Sequence, residues 1–297
     1  ADAICAALAY AALKAQVGEP GVYEAARCGN SNARIDAILH RFEQPLPRLV
    51  TDVTPRVADL LRDRVIKTHL DATCGEALEL IDQHDVRALP VVSGDNVLQG
   101  IVSIFSLGEF FIPKPTEPRR MRRVHTRLSD IVRVLRANPL HLEEPDRLEE
   151  LYVRVGAMDI RSFGRFTETE NIRAEHSIIV VGDRYDIQQK AIQAGARVLV
   201  ITGSLEIDTD VVSLCKERRV SLIVSPWDSA TTSWMIRSAT RLEPMIDRET
   251  PTFGPDEKLA QVRRRIAQNY APLYCVVDES RRLLGVFSKT DLLKPIQ

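Results

Sequence analysis

Residues 86–107 read Val86-Arg87-Ala88-Leu89-Pro90-Val91-Val92-Ser93-Gly94-Asp95-Asn96-Val97-Leu98-Gln99-Gly100-Ile101-Val102-Ser103-Ile104-Phe105-Ser106-Leu107, and this stretch decides the fold. Residues 88–93 and 98–103 are short apolar runs, and Gly94-Asp95-Asn96 between them is turn chemistry. Two such runs joined by such a turn make a β-hairpin. Upstream, the sequence predicts a strand near 65–68 and a helix over 73–84; a second helix follows Ser103. Residues 63–112 are therefore read as one β-α-β-β-α unit.

The same unit returns near the end of the chain. Gly100 falls on Gly285, an offset of 185, and at that offset Ile81 meets Ile266, Val91 meets Val276, Val92 meets Val277, Leu98 meets Leu283, Ser103 meets Ser288 and Leu107 meets Leu292. A unit of about 50 residues buries too little surface to stand alone, so the copies at 63–112 and 246–294 are expected to pack face to face. Between them, residues 138–245 alternate apolar strands (177–181, 197–201, 221–224) with ten-residue helical patterns (185–194, 208–218). That alternation implies a mainly parallel, covered sheet and an α/β fold class. Residues 1–62 read as helix, short strand (22–26), helix (32–42) and a stretch marked by Pro45, Pro47 and Pro55. Residues 113–137 carry Pro113, Pro115, Pro118 and the run Arg119, Arg120, Arg122, Arg123, and are read as a solvated linker.

Composition narrows the function. Of 297 residues 44% are hydrophobic and 27% charged, enough to build a core. Forty Lys plus Arg against 41 Asp plus Glu give a net charge of −1, which argues against a general nucleic-acid binder. The apolar runs fall short of the ~20 residues that span a bilayer, so no membrane segment is expected. Cys5, Cys28, Cys74, Cys215 and Cys275 are scattered without C-x-x-C spacing, the usage of reduced thiols in a cytoplasmic protein, most of them core residues. His40, His69, His84, His125, His141 and His176 show no metal-ligand pairing and read as structural. Gly182-Asp183-Arg184 follows a strand, but a single glycine fails the dinucleotide fingerprint; Asp183 and Arg184 read as an ion pair or cap. Trp227 and Trp234, seven apart, read as core or interface residues.

The repeated units resemble CBS motifs through Asp71-Ala72-Thr73-Cys74-Gly75-Glu76-Ala77-Leu78, the following 86–92 segment, and Gly285-Val286-Phe287-Ser288-Lys289-Thr290-Asp291-Leu292-Leu293. The middle piece resembles the DRTGG domain through Val180-Val181-Gly182-Asp183-Arg184-Tyr185-Asp186-Ile187, Pro226-Trp227-Asp228-Ser229-Ala230-Thr231-Thr232 and Leu199-Val200-Ile201-Thr202-Gly203-Ser204, where Ser204 replaces the family's glycine. CBS, DRTGG, CBS in that order is similar to the cassette inserted in regulated family II inorganic pyrophosphatases of the DHH superfamily. Ala1-Asp2-Ala3-Ile4-Cys5 resembles the stretch after that family's metal motif, and Pro47-Arg48-Leu49-Val50 its approach to the first CBS motif. The resemblance makes residues 1–62 part of a DHH catalytic domain truncated at both ends, and Asp2 a manganese or cobalt ligand. Without it, Asp2 reads as a helix N-cap.

Further expectations follow from the same resemblance. The family hydrolyses diphosphate to two phosphates, and this chain, lacking most metal ligands, is expected to be the inactive regulatory part. AMP and ADP would inhibit, ATP or dinucleoside polyphosphates would activate, and cassettes would pair as a homodimer. The nucleotide-binding positions implied are Lys67, Thr68, Ala88 and Ser103 in the first copy and Thr252, Pro272, Tyr274, Ser288, Thr290 and Asp291 in the second. Ser288 to Asp291 lies between a strand end and an expected helix start, where free N–H groups attract phosphate and a carboxylate accepts ribose hydroxyls; the plain reading is a cap. Ser106 stands where the second copy has Asp291, so the first copy should bind weakly or share a site. Lys67, aligned with Thr252, either neutralises phosphate or is a solvated edge charge. Tyr274 either contacts adenine or a partner subunit, or sits half-buried in the core. A free-standing nucleotide sensor is the alternative, and the flanking repeat disfavours a phosphotransacetylase-like segment.

Overall fold

The computed structural model describes residues 2–18, 23–61, 64–112, 122–156 and 172–293. The chain divides into two units, residues 1–56 and 57–297. In the first, α1 (Asp2–Val17) and β1 (Ala26–Arg27) precede α2 (Ala33–Arg41) and β2 (Arg48–Leu49), and β1 pairs parallel with β2. Asn32 caps α2 by accepting from Ile35 N at 3.1 Å. Of the strand expected over 22–26, residue 22 lies outside the described residues; among the described ones the strand is Ala26–Arg27, and its partner lies inside the proline-marked stretch.

In the second unit the first copy folds as expected: β3 (Thr68–His69), α3 (Cys74–Gln83), β4 (Ala88–Val92), β5 (Leu98–Ser103) and α4 (Ile104–Phe111), with sheet order β3-β4-β5. Thr73 and Glu76 form a capping box that starts α3 where the sequence places it.

The middle piece is a three-layer α/β domain. Its elements are β6 (Arg123–Thr126), α5 (Leu128–Leu135), β7 (Asn138–His141), β8 (Glu149–Val155), β9 (Ser177–Val181), α6 (Tyr185–Gln193), β10 (Val198–Ile201), α7 (Thr209–Arg218), β11 (Ser221–Val224) and α8 (Ser229–Ser238). The sheet runs β6-β8-β9-β10-β11-β7, with four parallel central strands and antiparallel edges. Alternate strand residues face opposite layers: Ile178, Val180, Val198 and Val200 pack with α5 and α8, while Ile179, Val181, Leu199 and Ile201 pack with α6 and α7. The assignment of 113–137 to a linker is corrected for residues 122–137, while residues 113–121 lie outside the described residues. Arg123–Thr126 is an edge strand and Leu128, Ile131 and Leu135 are buried in the core, because their spacing puts one apolar face on the sheet. Of the arginine run, Arg119 and Arg120 lie outside the described residues.

The second copy comprises β12 (Thr252–Phe253), α9 (Leu259–Gln268), β13 (Tyr274–Val277) and β14 (Leu283–Phe287), with sheet order β12-β13-β14. Where the first copy has α4, the described residues of the second show a single 3-10 turn, Asp291–Leu293.

The lead-in segments are exchanged between copies. Val57, Leu60 and Leu61 pack in the core of the second copy, while Leu242, Met245 and Ile246 pack in that of the first. These are equivalent positions at the 185-residue offset. The backbone repeats the swap: Val57 N donates to Glu257 O at 3.0 Å and Leu242 N to Ala72 O at 3.2 Å. By packing, then, the first copy's lead-in begins before residue 63 and the second's before residue 246.

Candidate functional site

The two sheets meet at their hairpin ends. Leu98 N donates to Arg281 O at 2.9 Å and Leu283 N to Asn96 O at 3.0 Å. The offset of 185 turns one bond into the other, so the seam is a local pseudo-two-fold contact. Val92, Leu98, Ile101, Cys275 and Leu283 form one buried cluster drawn from both copies. Both sides of this arrangement carry a glycine, but only Gly100 is held to it by the backbone. A Cβ on Gly100, whose φ is +146°, would collide with Asp247 O, and one on Gly285 with the Leu61 side chain.

The first-copy positions are split between two grooves. Lys67 and Thr68 line one of about 540 Å³, together with Asp71, Glu76 and Arg133 of α5. Thr68 is buried, whereas Lys67 is exposed and donates to Asn96 Oδ1 at 2.6 Å. Ala88 is buried and stands opposite Ser103 in the ladder. Ser103 closes a capping box with Ser106, which lines a second groove of about 460 Å³ with Arg123, His125 and Asp247.

In the second copy Thr252 stands opposite Cys275, Pro272 precedes β13, and Thr290 is exposed beside Asp291. Asp291 Oδ2 accepts from Ser288 N at 2.8 Å and Ser288 Oγ at 2.7 Å, so this oxygen serves a cap. Where a helix start is expected, the described residues show the 3-10 turn Asp291–Leu293.

Tyr274 requires a correction. It is fully buried in an aromatic cluster, 5.9 Å from Phe253 and 5.5 Å from Phe287 between ring centroids. Its hydroxyl donates to Asn269 O at 3.1 Å and accepts from Ala271 N at 3.2 Å. With ring and hydroxyl both satisfied internally, Tyr274 is a core residue, more deeply buried than the half-buried alternative held.

The sequence reading missed the junction between the first copy and the middle domain. Arg241 Nε donates to Asp130 Oδ2 at 2.9 Å and Nη1 to Asp71 Oδ1 at 2.7 Å, while Arg133 pairs with Glu76 at 3.2 Å. Phe111 of α4 stacks on Trp234 of α8 at 5.5 Å, and Arg237 Nη2 donates to Phe110 O at 2.9 Å. Burial without a matching anion lowers the Arg237 pKa from its usual value. The signal available was the apolar match of 57–61 to 242–246 at the repeat offset, which marks 241 as the hinge into the second lead-in.

Elsewhere in the middle domain the motif loops carry local hydrogen bonds. Arg184 forks onto Asp186, with bonds of 2.9 and 2.7 Å, rather than onto Asp183. Thr202 Oγ1 and Ser229 Oγ are 2.9 Å apart, and Asp228 caps α8. Trp227 Nε1 donates to Leu135 O at 2.9 Å. Cys74, Cys215 and Cys275 are buried, and burial pushes their thiols up to about 12, 11 and 12. Asp2 is exposed at the start of α1. Among the described residues no three His, Cys, Asp or Glu side chains are grouped to hold a metal ion. Nor is any described helix long and apolar enough to cross a membrane.

A CBS domain matches residues 57–108 and 243–297, and a DRTGG domain matches residues 130–239. The chain is 24% identical over 293 residues to the cobalt-dependent inorganic pyrophosphatase of Clostridium perfringens, covering 98% of this chain and 52% of that protein. It is 21% identical over 299 residues to the probable manganese-dependent inorganic pyrophosphatase of Thermotoga maritima, covering 100% and 53%. It thus spans about half the length of these relatives. In fold it is similar to the crystal structure of the CBS and DRTGG domains of the regulatory region of Clostridium perfringens pyrophosphatase, complexed with the activator diadenosine tetraphosphate. That similarity has a TM-score of 0.68 at 22% identity, over 79% of this chain and 100% of the other. The chain therefore carries a pair of CBS domains with a DRTGG domain set between them.

Proposed function

We propose that this chain is an adenine-nucleotide-binding regulatory cassette of an inorganic pyrophosphatase. The observation that carries the reading is the self-complementary seam between Asn96–Leu98 and Arg281–Leu283. It sets two equivalent strand-end junctions, Ser103–Ser106 and Ser288–Asp291, on sheets that share one core. The regulatory region named above, with its dinucleotide activator, supports the same reading.

Nucleotide binding falls to Lys67, Thr68, Ala88 and Ser103 in one copy and Thr252, Pro272, Ser288, Thr290 and Asp291 in the other. AMP, ADP and ATP are the ligand class, the nucleoside monophosphate and diphosphate inhibiting and the longer phosphate chains activating. A ligand shifts activity only by binding two arrangements of the cassette unequally. Residues 1–56 belong to the DHH-type catalytic domain in this reading, the whole enzyme acts on diphosphate as a cytoplasmic homodimer, and the metal is manganese or cobalt. Asp2 is the one metal-ligand candidate here; the described donors do not form a centre, and no catalytic step is routed through them.

Calorimetry with AMP and ATP tests the reading. The 297-residue chain is expected to release heat with both, and Asp291→Ala to weaken binding about tenfold, the worth of one charge-assisted bond pair. Asp291→Asn retains an oxygen for the Ser288 cap and separates lost ligand contact from lost fold. No heat with either nucleotide overturns the reading. Manganese-dependent phosphate release from diphosphate by this chain would overturn its assignment as the inactive, regulatory part.

A further inference from the structure

The pseudo-two-fold relation of the seam does not extend to the side chains of Lys67 and Asn96. Lys67 Nζ donates to Asn96 Oδ1 at 2.6 Å, and Asn96 Nδ2 donates across the seam to Leu283 O at 2.9 Å. Asn96 sits at φ +62°, which turns its side chain toward both neighbours, and its own carbonyl accepts from Leu283 N at 3.0 Å. The repeat equivalents of Lys67 and Asn96 are Thr252 and Arg281. A threonine hydroxyl is far shorter than a lysine chain, and a guanidinium has no acceptor oxygen, so the second copy cannot build the same chain of bonds.

We infer that Lys67–Asn96–Leu283 is a one-sided relay that couples anion binding at Lys67 to the stiffness of the seam between the two CBS domains. The inference rests on the nucleotide-binding reading and adds its direction. An ammonium group has three donors, and one is committed to Asn96. A ligand phosphate taken by the others leaves the Asn96 bond in place and fixes the lysine, which otherwise ends in solvent. Fixing Lys67 holds Asn96, and Asn96 holds both the carbonyl and the amide of Leu283. Bonds in series polarise one another, so the gain appears at the far end. The first copy thereby reads phosphate, and the second copy carries the response.

The test follows ATP binding by calorimetry and the hydrogen exchange of the Leu98 and Leu283 amides, in the full chain and in Asn96→Gly. Glycine keeps the positive φ and the backbone bonds, leaves Lys67 free to take phosphate, and removes only the side-chain link. ATP is expected to slow both amides at least about fivefold in the wild type, the low end of site-to-site coupling. Asn96→Gly is expected to bind ATP with an affinity within a few-fold of wild type and to show no such slowing. A purely structural Asn96 would instead speed exchange equally with and without ATP, which overturns the relay. Binding by the wild type without slowing, or equal slowing in the variant, also overturns it and leaves nucleotide binding standing. Absence of ATP binding in the wild type overturns both.

Discussion

Val97 faces Arg282 across an antiparallel bridge, and the two are the same position of the repeat, 185 residues apart. A residue that meets its own repeat equivalent marks the local pseudo-two-fold axis. On either side of it, Leu98 and Leu283 are equivalent and share one buried cluster. Leu98→Ala and Leu283→Ala are each expected to cost ~2–5 kcal/mol. Because they open the same cavity, the double variant should depart from additivity. Urea titration of the four proteins checks this; strictly additive losses would mean two independent cores.

Gly100 and Gly285 are also equivalent, yet their neighbours differ in kind. A side chain at Gly100 meets the Asp247 carbonyl and demands φ +146°, whereas one at Gly285 meets the end of Leu61. Backbone yields less readily than a leucine methyl. Gly100→Ala is expected to cost about 3 kcal/mol or more and Gly285→Ala about 1 kcal/mol, read as the shift in urea midpoint. Equal losses would show that the 246–247 segment gives way as easily as Leu61.

These pairs show how much the sequence disclosed. The repeat, the hairpins, α3 and the alternation of β9 to β11 with helices were legible because each is a local pattern. The swapped lead-ins were not, since a few apolar residues at 57–61 and 242–246 do not say which copy they cover. Leu128, Ile131 and Leu135 carried helical spacing, but flanking prolines and arginines pointed to a linker. The place of Tyr274 was decided by Phe253 and Phe287 closing over it, a tertiary fact no spacing encodes. For Ser288-Lys289-Thr290-Asp291 the sequence left a ligand site and a cap both open, and the bond from Ser288 to Asp291 Oδ2 is the cap.

The bond of Arg241 to Asp130 joins the second lead-in to the DRTGG domain, and both side chains are over 90% buried. Removing one partner strands the other charge where water cannot reach it. Asp130→Asn or Arg241→Met is expected to cost ~3–5 kcal/mol, while the double replacement Asp130→Leu with Arg241→Met recovers much of that loss. Chemical denaturation distinguishes the cases. A double variant as unstable as the two single losses combined would mean that the charges act separately, Arg241 chiefly through exposed Asp71.

Acid sensitivity is expected at the start of α8. The Thr231 hydroxyl, then its backbone N–H, donates to the Asp228 carboxylate and lowers its pKa from the usual 3.8; Ala230 N adds a further bond. The folded state therefore favours the ionised cap, and the unfolded state binds more protons between the lowered value and 3.8. The stabilisation is fully present above 3.8 and is lost as pH falls through the folded value. Arg184 lowers Asp186 in the same sense, so the wild-type curve alone does not isolate the cap. The difference in unfolding free energy between wild type and Asp228→Asn does, because asparagine still caps but does not titrate. That difference should be level near neutrality and shift against the wild type below pH 3.8; a level difference down to pH 2.5 would mean that the Thr231 bonds exert no grip on the proton.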